Sequence, residues 1–389
     1  MLCLVIMKTK KNLYYSMLKY DKAVLVFKKI KRSCKNKRAI VSFEYNLNTN
    51  IYSILSRLYK RKYRFSNYRI FLINDPKYRI IMSENISDKL VNHMVSKYIL
   101  HEALLSKLID TNVSTRVGRG SRYALNKFQY YINKLIYIKK EIYILKLDIK
   151  KYFYNIDHNI LINLLGKYIK DEYSINIIKE ILNTTNLEYI NDKIKTLKED
   201  KIERILNSKL SKKEKDIKIS NINNIPYYEK GKGLPIGNMT SQMLAVFYLN
   251  EVDHYIKEVL KFKYYIRYMD DLIIIDTDKE LLKKAYKSIE VKINNLKLEL
   301  NNKSNIHKLS RGVNFLGYNF CLYKNKIVIR YNNNTIRRIN KNLKFYVKND
   351  FEHFKRSLNS YKGYIDYSNT NYKVSFYTKY DSIKLNNES

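Results

Sequence analysis

Two short apolar runs near the middle of the chain predict the strands of a tight hairpin. The runs are 264–266 and 272–275, and the segment between them ends in Tyr268-Met269-Asp270-Asp271. β-Branched and aromatic residues on both sides of a polar tip are typical of a β-hairpin. Because Asp is common in turns, a solvated turn is the simplest interpretation of the two carboxylates. Adjacent like charges repel, however, and a divalent cation bound by their oxygens would relieve that repulsion.

A second apolar run, at 142–147, predicts a buried strand that also ends in a carboxylate. The run is rich in β-branched and aromatic residues, and Asp148 follows it directly. If this strand lies beside the hairpin, three carboxylates meet at one point, as two-metal phosphoryl transfer requires. Further along, Asp157 precedes another apolar run and is predicted to cap the helix that begins there.

Between these elements, a Gly-Pro-Gly loop at 231–237 leads into an amphipathic pattern. The pattern predicts a helix from about Ser241 to Leu260. Gly237 and Asn238 would let the backbone approach a ligand closely at the amino end of that helix. No Gly-Lys-Ser/Thr follows the glycines at the required spacing, which excludes a Walker loop.

Taken in order, these motifs resemble those of the prokaryotic reverse transcriptases. The central ones are Leu-Asp-Ile-Lys-Lys-Tyr-Phe at 147–153, Gly-Leu-Pro-Ile-Gly-Asn-Met-Thr-Ser-Gln at 233–242 and Tyr-Met-Asp-Asp at 268–271. Further segments resemble the family's fingers (75–80, 87–93, 116–124), its lysine-bearing and primer-grip motifs (298–303, 312–318) and its thumb (357–365). The resemblance covers about residues 12–375. It implies an α+β right-hand polymerase fold with fingers, a palm made of an antiparallel sheet flanked by helices, and a helical thumb.

The resemblance also implies roles for particular residues. Asp148, Asp270 and Asp271 would be catalytic and would bind two Mg²⁺ or Mn²⁺ ions, with the carbonyl of Ile149 as a further ligand and Lys303 as a general acid. The expected nucleotide-binding residues are Lys77, Arg79, Phe153, Ile236, Gly237, Gln242 and Tyr268. The expected nucleic-acid-binding residues are Arg116, Arg119, Phe315, Leu316 and Gly317. Phe153 falls at the steric-gate position of the family, which favours dNTPs and argues against an RNA-templated RNA polymerase or a primase-like enzyme.

One sub-motif indicates which branch of the prokaryotic reverse transcriptases the chain resembles. Most reverse transcriptases carry Gln-Gly and Ser-Pro where this chain has Ile236-Gly237 and Ser241-Gln242. The version seen here is typical of diversity-generating retroelements and also occurs in some antiviral-defence enzymes. Retroelement function is therefore the first hypothesis, a defence enzyme that copies a noncoding RNA the second, and a catalytically silent RNA-binding protein the third. The expected partners are template RNA, the cDNA product, dNTPs, and either a small basic accessory protein or a noncoding RNA.

Composition supports a polyanionic partner. The 389 residues include 75 Lys+Arg against 36 Asp+Glu, a net charge of +39, and such a surplus points to nucleic acid. Ribosomal proteins share that property, so charge alone does not indicate catalysis. The scattered Cys3, Cys34 and Cys321 form no Cys-x-x-Cys pair, which argues against a zinc ribbon and favours a reducing cytoplasm. The apolar start Met1–Met7 is too short to span a bilayer, and no membrane association is expected.

The predicted organisation follows the resemblance. An amino-terminal helical extension covers 1–65, the fingers 66–140, the palm 141–320, and the thumb with a carboxyl-terminal tail 321–389. Within the palm, about 185–229 is dense in Lys, Glu, Asp and Asn. This insertion is predicted to be a solvated helical hairpin or a flexible loop rather than a dedicated binding element.

Overall fold

The computed structural model of the protein describes residues 12–74, 77–138 and 140–386. The start Met1–Met7 with its Cys3, the pair Asp75-Pro76 at the head of one fingers motif, and the last residues of the predicted tail lie outside the described part. Among the described residues, no helix combines the length and the apolar character needed to cross a bilayer.

The structure contains both helices and antiparallel strands, which is consistent with the predicted α+β class. In the first part of the chain the elements are α1 (Leu13–Met17), α2 (Tyr20–Ser33), α3 (Lys37–Tyr45), α4 (Leu47–Tyr59), β1 (Arg69–Asn74), β2 (Tyr78–Ser83), α5 (Ile86–Val95), α6 (His101–Leu104), α7 (Ser121–Ile136) and β3 (Tyr143–Leu147). The middle contains α8 (Tyr152–Asn155), α9 (His158–Gly166), α10 (Glu172–Asn183), α11 (Glu188–Leu206), α12 (Lys212–Asn223), α13 (Met239–Tyr248), α14 (Asn250–His254), β4 (Tyr265–Tyr268), β5 (Asp271–Asp276) and α15 (Lys279–Asn295). The remainder contains β6 (Asn305–Lys308), β7 (Val313–Phe315), β8 (Tyr318–Tyr323), β9 (Lys326–Tyr331), α16 (Asn333–Asn349), α17 (Phe351–Ile365) and α18 (Tyr372–Asn386).

The chain packs as two compact units, each assembled from separate stretches. Unit 1 takes its described residues from Met1–Thr115, Ile149–Tyr255 and Ile289–Leu300. Unit 2 takes its described residues from Arg116–Asp148, Ile256–Ser288 and Asn301–Ser389.

In unit 1, the charged insertion is a folded helical hairpin with a buried inner side. Its helix α11 packs against β1 of the antiparallel β1–β2 hairpin, and α12 packs on α11. A shared apolar cluster joins them and contains Ile70, Ile80, Met82, Ile190, Ile194, Ile205, Ile222 and Ile225. A capping box, in which Ser211 and Glu214 satisfy each other's backbone donors, starts α12. The predicted helical hairpin is thus confirmed, but it is anchored to a sheet rather than solvated on all sides.

In unit 2, an antiparallel four-stranded sheet has the order β4-β5-β3-β6. The predicted hairpin is confirmed as β4 and β5, and the predicted strand as β3. β5 is central, and its residues 272–275 are all buried, as expected for a strand covered on both faces. The apolar side of α7, which includes Phe128 and Ile132, is buried, and α7 packs on β4 and β5.

A second antiparallel sheet in unit 2 corrects the predicted thumb. Residues 321–378 are predicted to form a small helical bundle, but residues up to 331 complete the sheet β7-β8-β9. Alternating burial along β9 fits the strand period of two. The helices begin only at α16, so the expected bundle is confined to α16, α17 and α18.

Two further helix predictions are confirmed with adjusted bounds. The helix expected over Ser241–Leu260 is α13 and α14 followed by a π-helical turn at Tyr255–Val259. Asp157 caps α9, because its carboxylate accepts a hydrogen bond from the Ile160 backbone N–H at 3.0 Å.

Candidate active site

Strand pairing in unit 2 places three carboxylates at one end of the four-stranded sheet. Leu147, the last residue of β3, is opposite Leu272, so Asp148 leaves its strand beside the β4–β5 tip. At that tip Tyr268 pairs with Asp271, and Met269 takes a left-handed φ of 57°. Because antiparallel register fixes which strand ends meet, the residue that follows β3 lies beside the β4–β5 tip.

The electrostatics of Asp270 show that these carboxylates interact. Burial, together with the charges of Asp271 and Asp148, raises the pKa of Asp270 to about 6, against the lowering effects of a backbone hydrogen bond and of Arg267. Like charges held close together disfavour ionisation of one another. The site therefore concentrates negative charge that a bound cation would neutralise.

Two cations near the aspartates were missed by the sequence analysis. Arg267 is fully buried, and its guanidinium donates to the carbonyl of Met269 at 2.8 Å, which supports the hairpin tip from below. Lys146 lies with its Nζ 3.6 Å from Asp271 Oδ1. A charged residue inside each of two otherwise apolar strands was the available sign, since such residues are rarely buried without a partner.

A turn after α15 holds the backbone of Asp148. The carbonyl of Asp148 accepts from the Asn301 N–H at 2.7 Å, and its N–H donates to Ser304 Oγ at 3.0 Å. Lys303 lies in the same turn and is exposed. The predicted general acid is therefore placed in the segment that fixes Asp148.

The donor set fits a hard divalent ion in its chemistry. Carboxylate oxygens are the ligands preferred by Mg²⁺ and Mn²⁺, and Asp148, Asp270 and Asp271 are all only half-buried. Within the described residues, no group of three or more His, Cys, Asp or Glu side chains is already gathered closely enough to hold a metal. Since the Lys146 ammonium now neighbours Asp271, binding would require local rearrangement of these side chains.

In unit 1, four of the predicted nucleotide-binding residues lie at or beside β2, namely Lys77, Arg79, Ile236 and Gly237, whereas Tyr268 lies in unit 2. Lys77 and Arg79 are exposed at the start of that strand. The carbonyl of Ile236 accepts from the Met82 N–H at 2.8 Å, so the Gly-Pro-Gly loop lies along the same strand. Gly237 has a φ of 137°, and a Cβ there would lie 2.3 Å from the Met82 carbonyl oxygen. Only glycine permits this close approach.

A cavity of about 890 Å³ opens beside that loop in unit 1. Gly237, Met239 and Gln242 line it together with Arg69 and Lys89. Gln242 is exposed there, so its amide is available to a ligand.

Phe153, also in unit 1, is half-buried beside the fully buried Tyr152. Its carbonyl accepts from the Leu234 N–H at 2.7 Å. This bond ties the predicted steric gate to the start of the Gly-Pro-Gly loop.

The predicted nucleic-acid-binding residues all lie in unit 2. Arg116 and Arg119 flank one turn, in which the Arg119 N–H donates to the Arg116 carbonyl. Phe315 is buried against Phe128 with ring centroids 5.1 Å apart. Beyond Phe315, Leu316 is half-buried and Gly317 is exposed. The part of this segment that a nucleic acid could contact is therefore the turn at Leu316 and Gly317, because the Phe315 ring is buried.

Comparison with known proteins agrees with this geometry. The family model described as reverse transcriptase (RNA-dependent DNA polymerase) matches residues 73–320. The match includes the three aspartates, the Gly-Pro-Gly loop and β2. No curated protein matches the chain.

Proposed function

Because the chain belongs to the reverse transcriptase family, whose members are RNA-directed DNA polymerases, we propose that Asp148, Asp270 and Asp271 carry out its reaction. The observation that supports this most directly is the strand register, which brings Asp148 beside the hairpin tip that carries Asp270 and Asp271. The reaction is template-directed: a primer 3′-hydroxyl attacks the α-phosphate of a dNTP, a new P–O bond forms, and pyrophosphate leaves.

The aspartates would hold two divalent metal ions, as members of the family generally do, and the Ile149 carbonyl would be a further ligand. Bound there, such ions would stabilise the attacking oxygen and the leaving pyrophosphate. Lys77 and Arg79 would bind the triphosphate through charge-assisted hydrogen bonds. Lys303 would donate a proton to the pyrophosphate.

The remaining roles concern selection and positioning. The ring of Phe153 would exclude a ribose 2′-hydroxyl, while Ile236, Gly237, Gln242 and Tyr268 would line the nucleotide site. Arg116, Arg119 and the turn at 315–317 would contact the template–primer. The fingers, palm and thumb assignments of the chain belong to the same proposal and are supported by the family match.

The test of the catalytic proposal is a pair of matched substitutions on β5. Asp270→Asn removes one carboxylate and should lower primer extension by at least about 10³-fold, with RNA binding retained. Asp276→Asn, at the other end of the same strand, should leave extension unchanged, because its carboxylate lies away from the β4–β5 tip and accepts from the Asp278 N–H. Equal activity of the two variants would refute the assignment, and no extension by the unsubstituted chain would favour a silent RNA-binding protein.

For the biological role, we propose mutagenic copying of a template RNA in a diversity-generating retroelement. The supporting observation is Ile236-Gly237 with Ser241-Gln242 in the loop beside β2. The chain would be expressed with its native flanking DNA, and the nucleic acids that purify with it would be sequenced for the unsubstituted chain and for Asp270→Asn. cDNA with scattered substitutions copied from a neighbouring repeat supports the proposal. cDNA copied from a dedicated noncoding RNA would refute it in favour of a defence enzyme.

A further inference from the structure

One side of α7 in unit 2 carries a regular alternation of tyrosine and lysine. Tyr123, Lys127, Tyr130, Lys134 and Tyr137 follow one another at spacings of four, three, four and three residues. Because i, i+3 and i+4 positions share a helix face, these five residues form one stripe. We call this stripe the α7 ladder. Apolar side chains of α7 are buried on the unit 2 core, so the ladder is the side turned away from that core.

The ladder is held together by contacts between its own rings and ammonium groups. The Nζ of Lys127 lies 5.5 Å from the Tyr123 ring centroid and 5.9 Å from that of Tyr131. The Nζ of Lys134 lies 5.5 Å from the centroid of Tyr130. Such cation–π contacts orient both partners, so the Tyr123 and Tyr130 rings are oriented before any ligand binds. Exposure increases along the stripe, from half-buried Tyr123 to Tyr130 at 55% and Tyr137 at 84%.

The surroundings of the ladder are strongly basic. Residues 111–140 contain seven Lys or Arg and no Asp or Glu. Burial, and then the nearby charge of Lys127, lower the pKa of Lys257, which shows that cations from two segments of unit 2 repel one another here. A polyanion would relieve this repulsion, and it would release counterions on binding.

We propose that the α7 ladder binds single-stranded RNA, with bases stacked on the tyrosine rings and phosphates on the lysines. Alternating rings and cations match the alternation of bases and phosphates in a nucleic acid strand. Only unpaired bases expose the faces needed for stacking, which favours a single strand over a duplex. The choice of RNA over DNA rests on the RNA template of the family. The proposal does not depend on the catalytic role of the aspartates.

The experiment measures the binding of a labelled oligouridylate by fluorescence anisotropy over a range of salt concentrations. A saturating, unlabelled RNA–DNA duplex is present, so that duplex-binding surfaces are already occupied. Lys127→Gln/Lys134→Gln should weaken binding and reduce the slope of log K against log salt by about 1.4, since each single-strand phosphate contact contributes about 0.7. The matched control is Lys284→Gln/Lys287→Gln, which removes two exposed lysines from α15. An equal loss in both pairs would overturn the proposal.

Stacking is tested separately from charge. Tyr130→Ala/Tyr137→Ala should weaken binding by about tenfold or more, whereas Tyr130→Phe/Tyr137→Phe keeps the rings and should bind as the unsubstituted chain does. Because both positions are exposed, the melting temperature should not change in either pair. Equal binding by the Ala and Phe pairs would refute stacking. If the Ala pair weakened the binding of duplex RNA as much as that of oligouridylate, single-strand recognition would be refuted. Preferential binding of single-stranded DNA over RNA would refute the choice of RNA.

Discussion

Asn92 of α5 connects the first turn of α13 to the buried carboxyl of Glu84 in unit 1. Thr240 Oγ1 donates to Asn92 Oδ1 at 2.7 Å, and the Asn92 amide in turn donates to Glu84. Glu84 is only 8% exposed. Burial, together with the charge of Asp88, raises the pKa of Glu84 to about 8 against the lowering effect of Lys89. Because α13 follows directly from the Gly-Pro-Gly loop, this network helps to position Ile236 and Gly237.

Glu84→Gln should make the folded state less sensitive to alkaline pH. A raised pKa means that the folded protein retains a proton that the unfolded chain has released, so stability is lost as pH rises from about 4.5 to about 8. The neutral Gln can still accept from Asn92 and removes this loss. The melting temperature of the variant relative to the unsubstituted chain should therefore rise between acidic and mildly alkaline buffer. The exposed Glu199→Gln is the control, and a difference that is independent of pH would contradict the account.

Phe153→Ala tests the discrimination between sugars at a single residue. Without the ring, rNTP incorporation relative to dNTP incorporation should increase by about tenfold or more. Phe153→Tyr retains the bulk and should retain the selectivity for dNTPs. Single-nucleotide extension with each substrate gives the ratio directly. A variant that still excludes rNTPs would show that the ring is only part of the core.

At the scale of elements, the helical hairpin of the insertion contributes to stability through buried isoleucines, although its composition is highly charged. Ile222 of α12 is fully buried against the β1–β2 side, whereas Ile217 on the same helix is 55% exposed. Ile222→Ala should lower the free energy of unfolding by about 2–5 kcal/mol through lost burial and the cavity left behind. Ile217→Ala should change it by less than about 0.5 kcal/mol. Urea denaturation compares the two, and equal midpoints would indicate that the insertion does not pack on the sheet.

The elements around the aspartates could be predicted because local pattern determined them. The apolar runs around Asp270, the strand before Asp148 and the cap at Asp157 each depend on residues adjacent in sequence. Arg267 could not be assigned, because its partner is a carbonyl exposed only once the hairpin has turned at Met269. The buried side of α11 was hidden by a dense background of charges, and only contact with β1 and β2 reveals which of its isoleucines are inside.

For the whole molecule, the net charge of +39 is the dominant property. Charge of one sign destabilises a compact state through self-repulsion. Salt shortens the screening length to about 10 Å at 0.1 M and so weakens that repulsion. The same screening weakens the binding of nucleic acid. Added salt should therefore increase the stability of the free protein and decrease its affinity for nucleic acid.

The melting temperature of nucleic-acid-free protein should accordingly rise as NaCl is increased from low to moderate concentration. At low salt, added single-stranded RNA should raise the melting temperature further, because a ligand that binds only the folded state stabilises it. This second increase should shrink as salt rises, until the curves with and without RNA meet. Uncharged osmolyte at matched osmolality is the control, since it does not screen charge. A melting temperature of the free protein that falls with salt would show that attractive ion pairs outweigh the surplus of Lys and Arg.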